Sequence, residues 1–143
     1  MLYRKYVLSL CLLLISLSGF SQTKLPSITV NDIDRSTAFE ELVELFASSD
    51  FFIQNIEKDA GFIQVKVVIK KRGIFAKRAG NKIIYNIFVK QVEERIAQIN
   101  FQANLEISDR TEDGYYYRDE GVSNDPKDYE ELLTLIESHF ENQ

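Results

Sequence analysis

The chain has 143 residues, 45% of them hydrophobic, and a formal net charge of −5. This composition is that of a globular protein, and the acidic balance disfavours general nucleic-acid binding because the far field repels phosphate. One cysteine and one histidine leave too few nitrogen and sulfur ligands for a zinc site and exclude a disulfide framework.

The first 21 residues have the three-part layout of a secretory signal peptide. Arg4 and Lys5 precede an apolar run over residues 7–17, and small residues stand at the −3 and −1 positions before Gln22. The run is too short for a transmembrane anchor. We therefore predict an exported protein, periplasmic or extracellular and not transmembrane, and the lack of disulfides favours a bacterial envelope.

Cleavage before Gln22 would leave a short N-terminal tail over residues 22–26 and a single domain over residues 27–143. The mature chain would hold 15 basic and 22 acidic residues, a net charge of −7. The charge is unevenly distributed. Residues 58–82 contain eight basic residues and one acidic residue, whereas residues 106–143 contain twelve acidic and three basic residues.

A strand and a helix open the predicted domain. Residues 27–33 alternate polar and apolar side chains, which is typical of a strand. Thr37 and Glu40 have the spacing of a capping box and predict a helix start. One apolar stripe follows at helical spacing, formed by Phe39, Leu42, Val43 and Phe46.

Four strand-like runs follow, at residues 51–57, 62–70, 83–91 and 96–107. In the last three runs, apolar residues recur at every second position, most regularly in the run at 96–107. Such alternation predicts an antiparallel sheet with one buried face. A turn signal, Glu112-Asp113-Gly114, then predicts a short edge strand over residues 115–118.

A second helix closes the chain, with Asp125 as the predicted N-cap and Pro126 at the first helical position. Its apolar stripe contains Tyr129, Leu132, Leu133, Ile136 and Phe140. Two amphipathic helices must share the apolar face of the sheet. We therefore predict an α+β two-layer sandwich, β-α-β-β-β-β-α, with an antiparallel sheet of about five strands and two helices on one face.

This order of elements resembles one half of the TATA-box-binding protein fold. The segments Phe51-Phe52-Ile53-Gln54 and Asp59-Ala60-Gly61-Phe62-Ile63 are similar to exported Bacteroidota domains of unknown function with that fold. The resemblance spans roughly residues 27–141 and implies the fold. It implies no catalytic residues, and a shared fold does not imply DNA binding.

The sequence shows no convergent catalytic set, so we predict a protein that is not an enzyme and has no cofactor or metal. The single histidine, His139, lies in the last turn of the closing helix, where the helix dipole favours a cation. The carboxylates that flank the tyrosine triplet lack the spacing of a calcium loop and are expected in a solvated hairpin loop: Asp109, Glu112, Asp113, Asp119 and Glu120.

Two surfaces are candidates for binding. The first is the basic tip of a long hairpin between two central strands, in which basic residues surround Ile74 and Phe75: Lys70, Lys71, Arg72, Lys77, Arg78 and Lys82. This tip could bind a protein partner or attach weakly to an anionic membrane. It could equally be a loop whose lysines only keep a long hairpin in solution.

The second candidate is the sheet face opposite the helices. Its predicted side chains are Gln64, Lys66, Asn86, Gln98, Asn100, Gln102 and Asn104, with Phe62, Ile84 and Phe88 among them. Amides offer donors and acceptors together, so a peptide, a glycan or a second copy could bind there. The alternative is an ordinary solvated sheet face.

We therefore expect a non-enzymatic exported module that binds an envelope protein partner through the hairpin tip or the sheet face. The alternative is a peripheral envelope protein that binds anionic lipid or lipopolysaccharide through the tip. Self-association of the basic tip with the acidic C-terminal part of a neighbouring copy also stays open, and salt should dissolve such a contact. Nucleic acid is not an expected partner.

Overall fold

The computed structural model describes residues 25–70 and 80–142, which form an antiparallel sheet of six strands and two helices. The strands are β1 (Ser27–Asn31), β2 (Phe52–Glu57), β3 (Phe62–Val68), β4 (Lys82–Glu93), β5 (Ile96–Thr111) and β6 (Gly114–Val122). The helices are α1 (Arg35–Ala47) and α2 (Lys127–Glu141). The predicted α+β sandwich is confirmed, with six strands instead of about five.

The strand order is β1-β5-β4-β3-β2, and β6 also pairs with β5. Both β1 and β6 lie along the outer edge of β5, where β1 pairs with residues 96–100 and β6 with residues 104–111. The pairing of β4 with β5 ends at Glu106. The strand segments 107–111 and 114–118 therefore extend past β4 as a two-stranded arm, which we term the ribbon.

The core lies between the two helices and one face of the sheet. Alternation along the central strands buries every second side chain, including Ile83, Tyr85, Ile87, Val89, Ala97, Ile99, Phe101 and Ala103. The predicted helix stripes face this layer, and Phe39, Leu42, Phe46, Tyr129, Leu132 and Ile136 are all buried. Burial of each large apolar side chain contributes about 1.5–3 kcal/mol. Because both helices pack on this one face, the opposite face of the sheet is covered by neither helix.

The start of α1 differs from the prediction. Asp34 is the N-cap, and its carboxylate accepts hydrogen bonds from the backbone N–H groups of Ser36 and Thr37 at 2.9 and 3.0 Å. The Thr37 hydroxyl donates to the same carboxylate, and Glu40 pairs with Lys58 instead. The capping-box prediction is wrong because Asp34 satisfies the unpaired N–H groups three residues earlier.

The closing helix is fixed to β5 by a tyrosine. The structure places the N-cap of α2 at Pro126, one residue after the predicted Asp125, although the Asp125 carboxylate accepts from the N–H of Lys127 at 3.1 Å. The Tyr129 hydroxyl accepts from the backbone N–H of Ala103 at 3.0 Å and donates to the Ser123 carbonyl at 2.9 Å. Burial raises the pKa of Tyr129.

Arg35 holds the turn between β2 and β3 against the first helix. Its guanidinium donates to the backbone carbonyls of Val89, Lys58 and Asp59 at 3.2, 3.2 and 2.7 Å. Gly61 makes this approach possible. Its φ is +67°, and a Cβ there would lie 2.5 Å from the Val89 carbonyl oxygen and 2.8 Å from the guanidinium.

Candidate functional site

The structure describes only the base of the basic hairpin. Hydrogen bonds close that base between Ile69 and Asn81 at 2.8 Å and between Gly80 and Ile69 at 2.9 Å. The remaining predicted tip residues fall outside the described residues: Lys71, Arg72, Ile74, Phe75, Lys77 and Arg78.

Each of the two described tip lysines has an anionic or aromatic neighbour. Lys70 lies 2.6 Å from the Asp50 carboxylate. Lys82 lies 3.8 Å from Glu106, and its Nζ is 3.1 Å from the centre of the Tyr117 ring. Both positive charges are therefore partly matched within the chain.

The second predicted surface is the side of the sheet away from the helices, which we term the open face. Strand register arranges its side chains in rows across the sheet. The tip row contains Val68, Lys82, Glu106 and Asp119. The aliphatic row contains Phe52, Lys66, Ile84, Asn104 and Val122. The amide row contains Asn55, Gln64, Asn86 and Gln102.

Two further rows complete the open face. The aromatic row contains Glu57, Phe62, Phe88, Asn100 and Ser27. The last row contains Lys90, Gln98 and Thr29. All ten sheet-face residues named from the sequence therefore share one surface: Phe62, Gln64, Lys66, Ile84, Asn86, Phe88, Gln98, Asn100, Gln102 and Asn104.

Apolar side chains are unusually exposed on the open face. Phe52 is 63% exposed and Phe88 is 39% exposed, and Val68 in the tip row and Val122 at the β6 end of the aliphatic row are exposed as well. The rings of Phe62 and Phe88 are tilted with their centres 5.0 Å apart. Large apolar groups grouped on a surface, with polar residues around them, are typical of an interaction site.

The amides of the open face have unused hydrogen-bonding capacity. Gln64 donates to the Asn86 side-chain carbonyl at 2.8 Å. Asn100 Nδ2 and Asn104 Oδ1 are buried without a hydrogen-bond partner among the described residues. One is a donor and the other an acceptor, two residues to either side of Gln102. A buried polar group left unpaired costs about 1–3 kcal/mol, so both would gain from new hydrogen bonds.

The two layers of the molecule differ in charge. The helices α1 and α2 together contain eight acidic residues and only two Lys or Arg residues. The open face is balanced, with three basic and three acidic residues in its rows: Lys66, Lys82, Lys90, Glu57, Glu106 and Asp119. A partner that carries acidic charge therefore meets less repulsion at the open face than at the helices.

The ribbon continues beyond the tip row and carries exposed tyrosines. Tyr115, Tyr116 and Tyr117 are 71%, 48% and 42% exposed. Arg118 lies 3.0 Å from Asp109 and also contacts Glu120, and the hydrogen bond with Asp109 raises the pKa of Arg118. The sequence marked these carboxylates as loop residues and missed this ion pair, because only strand register shows that Arg118 and Asp109 are neighbours.

The other polar groups considered from the sequence have structural partners. His139 Nε2 lies 2.8 Å from Glu41 Oε2, so this pair joins α2 to α1. Within residues 25–70 and 80–142, no group of three or more His, Cys, Asp or Glu side chains is placed to hold a metal ion. No helix in the same ranges is long and apolar enough to cross a membrane.

A cavity of about 490 Å³ lies on the helix side of the sheet, between β3, β4 and α2. Its apolar wall includes Val67, Ile83 and Tyr85, and α2 contributes carboxylates. Lys70 and Asp50 also line it.

The sequence matches no known protein-family model and no curated protein. The class of protein is therefore defined by its architecture, a two-layer α+β sandwich with one sheet face left open by the helices.

Proposed function

We propose that this protein is an exported, non-enzymatic interaction module that binds a protein partner in the cell envelope through the open face. The observation that carries the proposal is the set of exposed apolar side chains around the amide row. Core-like apolar groups beside amides are the composition of a protein interface, in which burial drives association and hydrogen bonds give specificity.

Export is supported by the signal-peptide pattern of residues 1–21, which lie outside the described residues. A non-enzymatic role is supported by the positions of the groups with shifted pKa among the described residues. Asp34 caps α1, Arg118 braces the ribbon and Tyr129 docks α2, so each has a structural contact on a different element. Catalysis needs such groups to converge on one site.

A capture experiment with matched variants tests the proposal. Tagged residues 22–143 are incubated with envelope extract beside two single variants, Phe88→Glu on the open face and Tyr116→Glu on the opposite side of the ribbon. We expect a protein, identified by mass spectrometry and rebound in purified form, that Phe88→Glu binds at least tenfold more weakly. Tyr116→Glu should bind it as the wild type does.

A third variant tests the other candidate surface. It changes Lys71, Arg72, Lys77 and Arg78 to Glu. Loss of binding in this variant but not in Phe88→Glu would contradict the proposal and move the site to the hairpin tip. Co-sedimentation of the wild type with anionic but not neutral vesicles, lost in the same variant, would instead support lipid binding.

A further inference from the structure

We infer that the open face binds a second copy of this chain, forming a two-fold symmetric dimer with the two sheets face to face. The inference rests on the proposed function, because it names the partner for that surface. Sheets that pack face to face keep their strands aligned to within about 30°. Most homo-oligomers are closed dimers of this two-fold kind.

The row arrangement is symmetric about the amide row. On one side lies the aliphatic row, with Phe52, Ile84 and Val122, and on the other lies the aromatic row, with Phe62 and Phe88. A two-fold axis along the amide row would place the aliphatic row of each copy over the aromatic row of the other. The amide rows would then face each other, and each contains both donors and acceptors.

The unpaired amides fit the same axis. Asn104 is in the aliphatic row and Asn100 is in the aromatic row of the same strand. The axis therefore brings the acceptor Asn104 of one copy to the donor Asn100 of the other, twice per dimer. With small side-chain rotations, the two groups that have no partner among residues 25–70 and 80–142 would become each other's partners.

Charge also favours a second copy. The axis brings Lys66 of one copy beside the strand that carries Glu57 of the other. It also brings Lys90 over Lys82, whose charge is partly matched by Glu106 of its own chain at 3.8 Å. The Lys66 and Glu57 contact, made twice per dimer, thus lies in a face that is neutral overall. Two acidic copies that approached through their helices would instead repel each other.

The open face is also large enough. From Lys82 to Lys90 it extends for eight residues along β4, about 27 Å, and its five strand positions span about 20–24 Å. The projected area is about 500–650 Å², and side-chain relief adds to it. A standard interface buries about 800 Å² per partner, so burial of the whole face, with its side-chain relief, would come close to that size.

Sedimentation analysis of residues 22–143 tests the dimer. We expect the wild type to dimerise at micromolar concentration and to stay dimeric in 0.5 M salt, because most of the residues in the contact are uncharged and salt screens only the few charge pairs. The variant Phe52→Glu should weaken the dimer at least tenfold. The control Ile56→Glu changes a residue of the same strand that is 42% exposed on the opposite side of the sheet, and it should dimerise as the wild type does.

A charge exchange tests the proposed axis. Lys66→Glu should weaken dimerisation, since it places two carboxylates together, and the added change Glu57→Lys should restore it. A melting temperature close to that of the wild type in each variant would exclude misfolding as the cause of weaker dimerisation. A wild type that is monomeric at every concentration up to about 0.1 mM, or a dimer that is insensitive to Phe52→Glu, would overturn the inference.

The two proposals fail separately. A monomeric wild type whose capture of an envelope protein still depends on Phe88 would overturn the dimer and leave the proposed function standing. If neither sedimentation nor capture responds to changes on the open face, both are wrong.

Discussion

At the scale of single residues, the turn between β2 and β3 depends on the absence of a side chain at Gly61. Its positive φ is costly for other residues, and its position leaves no room for a Cβ beside Arg35 and the Val89 carbonyl. The turn joins β2 to β3, and the Gly61 carbonyl accepts a hydrogen bond from the Val89 N–H at 2.8 Å, which ties the start of β3 to β4.

We expect Gly61→Ala to lower the free energy of unfolding by about 2–5 kcal/mol, because backbone strain and overpacking add together. The control is Gly121→Ala, where φ is +76° but no atom lies within 4 Å of the added Cβ. In that variant only backbone strain should lower the free energy of unfolding, by about 1–2 kcal/mol. If urea denaturation gave the same decrease in the free energy of unfolding for both variants, the close approach at Gly61 would be unimportant.

The N-cap of α1 gives a pH-dependent prediction. Hydrogen bonds from the backbone N–H and side chain of Thr37 lower the pKa of Asp34 from its ordinary value of 3.8. Its ionised form therefore stabilises the fold fully above about pH 4, and this contribution is lost as the pH falls through the lowered pKa.

Asp34→Ala should accordingly melt below the wild type at pH 7, and the difference should shrink below pH 3.8. Thr37→Ala keeps both backbone donors to Asp34 and should cost less. A larger drop in melting temperature for Thr37→Ala than for Asp34→Ala would contradict the Asp34 cap and support the capping box that the sequence predicts.

At the scale of elements, the Tyr129 hydroxyl attaches α2 to β5 through Ala103 and to the segment after β6 through Ser123. Tyr129→Phe should cost about 1–3 kcal/mol, because it leaves the backbone N–H of Ala103 buried without an acceptor. Tyr117→Phe, on the exposed ribbon, is the control and should be close to neutral.

The same tyrosine predicts a loss of stability at alkaline pH. Burial raises the pKa of Tyr129 above the ordinary value of 10.0, so the neutral form is favoured in the folded state. The contribution of Tyr129 to the stability of the fold is complete below pH 10 and declines as the pH rises above that value. The stability difference between wild type and Tyr129→Phe should therefore narrow above pH 10. A constant difference up to pH 11 would contradict this assignment.

The strands show what the sequence can and cannot predict. Strict alternation over residues 96–107 identifies which side chains of β5 face the core, because successive side chains of a strand point to opposite faces of the sheet. The alternation does not show which residues of neighbouring strands pair. Bulges between Ile53 and Asn55 and between Gln91 and Glu93 shift the pairing, so the rows of the open face had to be read from the structure. The nine-residue length of β6 was likewise missed, because its exposed residues show no alternation.

At the scale of the whole molecule, the predicted charge separation has a structural meaning. The acidic C-terminal region forms α2, which lies with α1 in a strongly acidic layer, whereas the sheet presents a balanced face on the opposite side. Long-range repulsion therefore orients approaching acidic molecules toward the open face. The sequence predicted this face and its amides, but offered the hairpin tip as an equal candidate.

Chemical footprinting of lysines is the measurement that tests the central claim most directly. Lys66 lies in the aliphatic row of the open face, and Lys58 lies in the turn beside α1, paired with Glu40. Acetylation of both is compared between the dilute purified chain and the chain in intact envelopes. We expect Lys66 to become at least severalfold less reactive relative to Lys58 when its partner is present. Unchanged Lys66 together with protection of Lys58 or Lys127 would place the partner on the helix side and contradict the account.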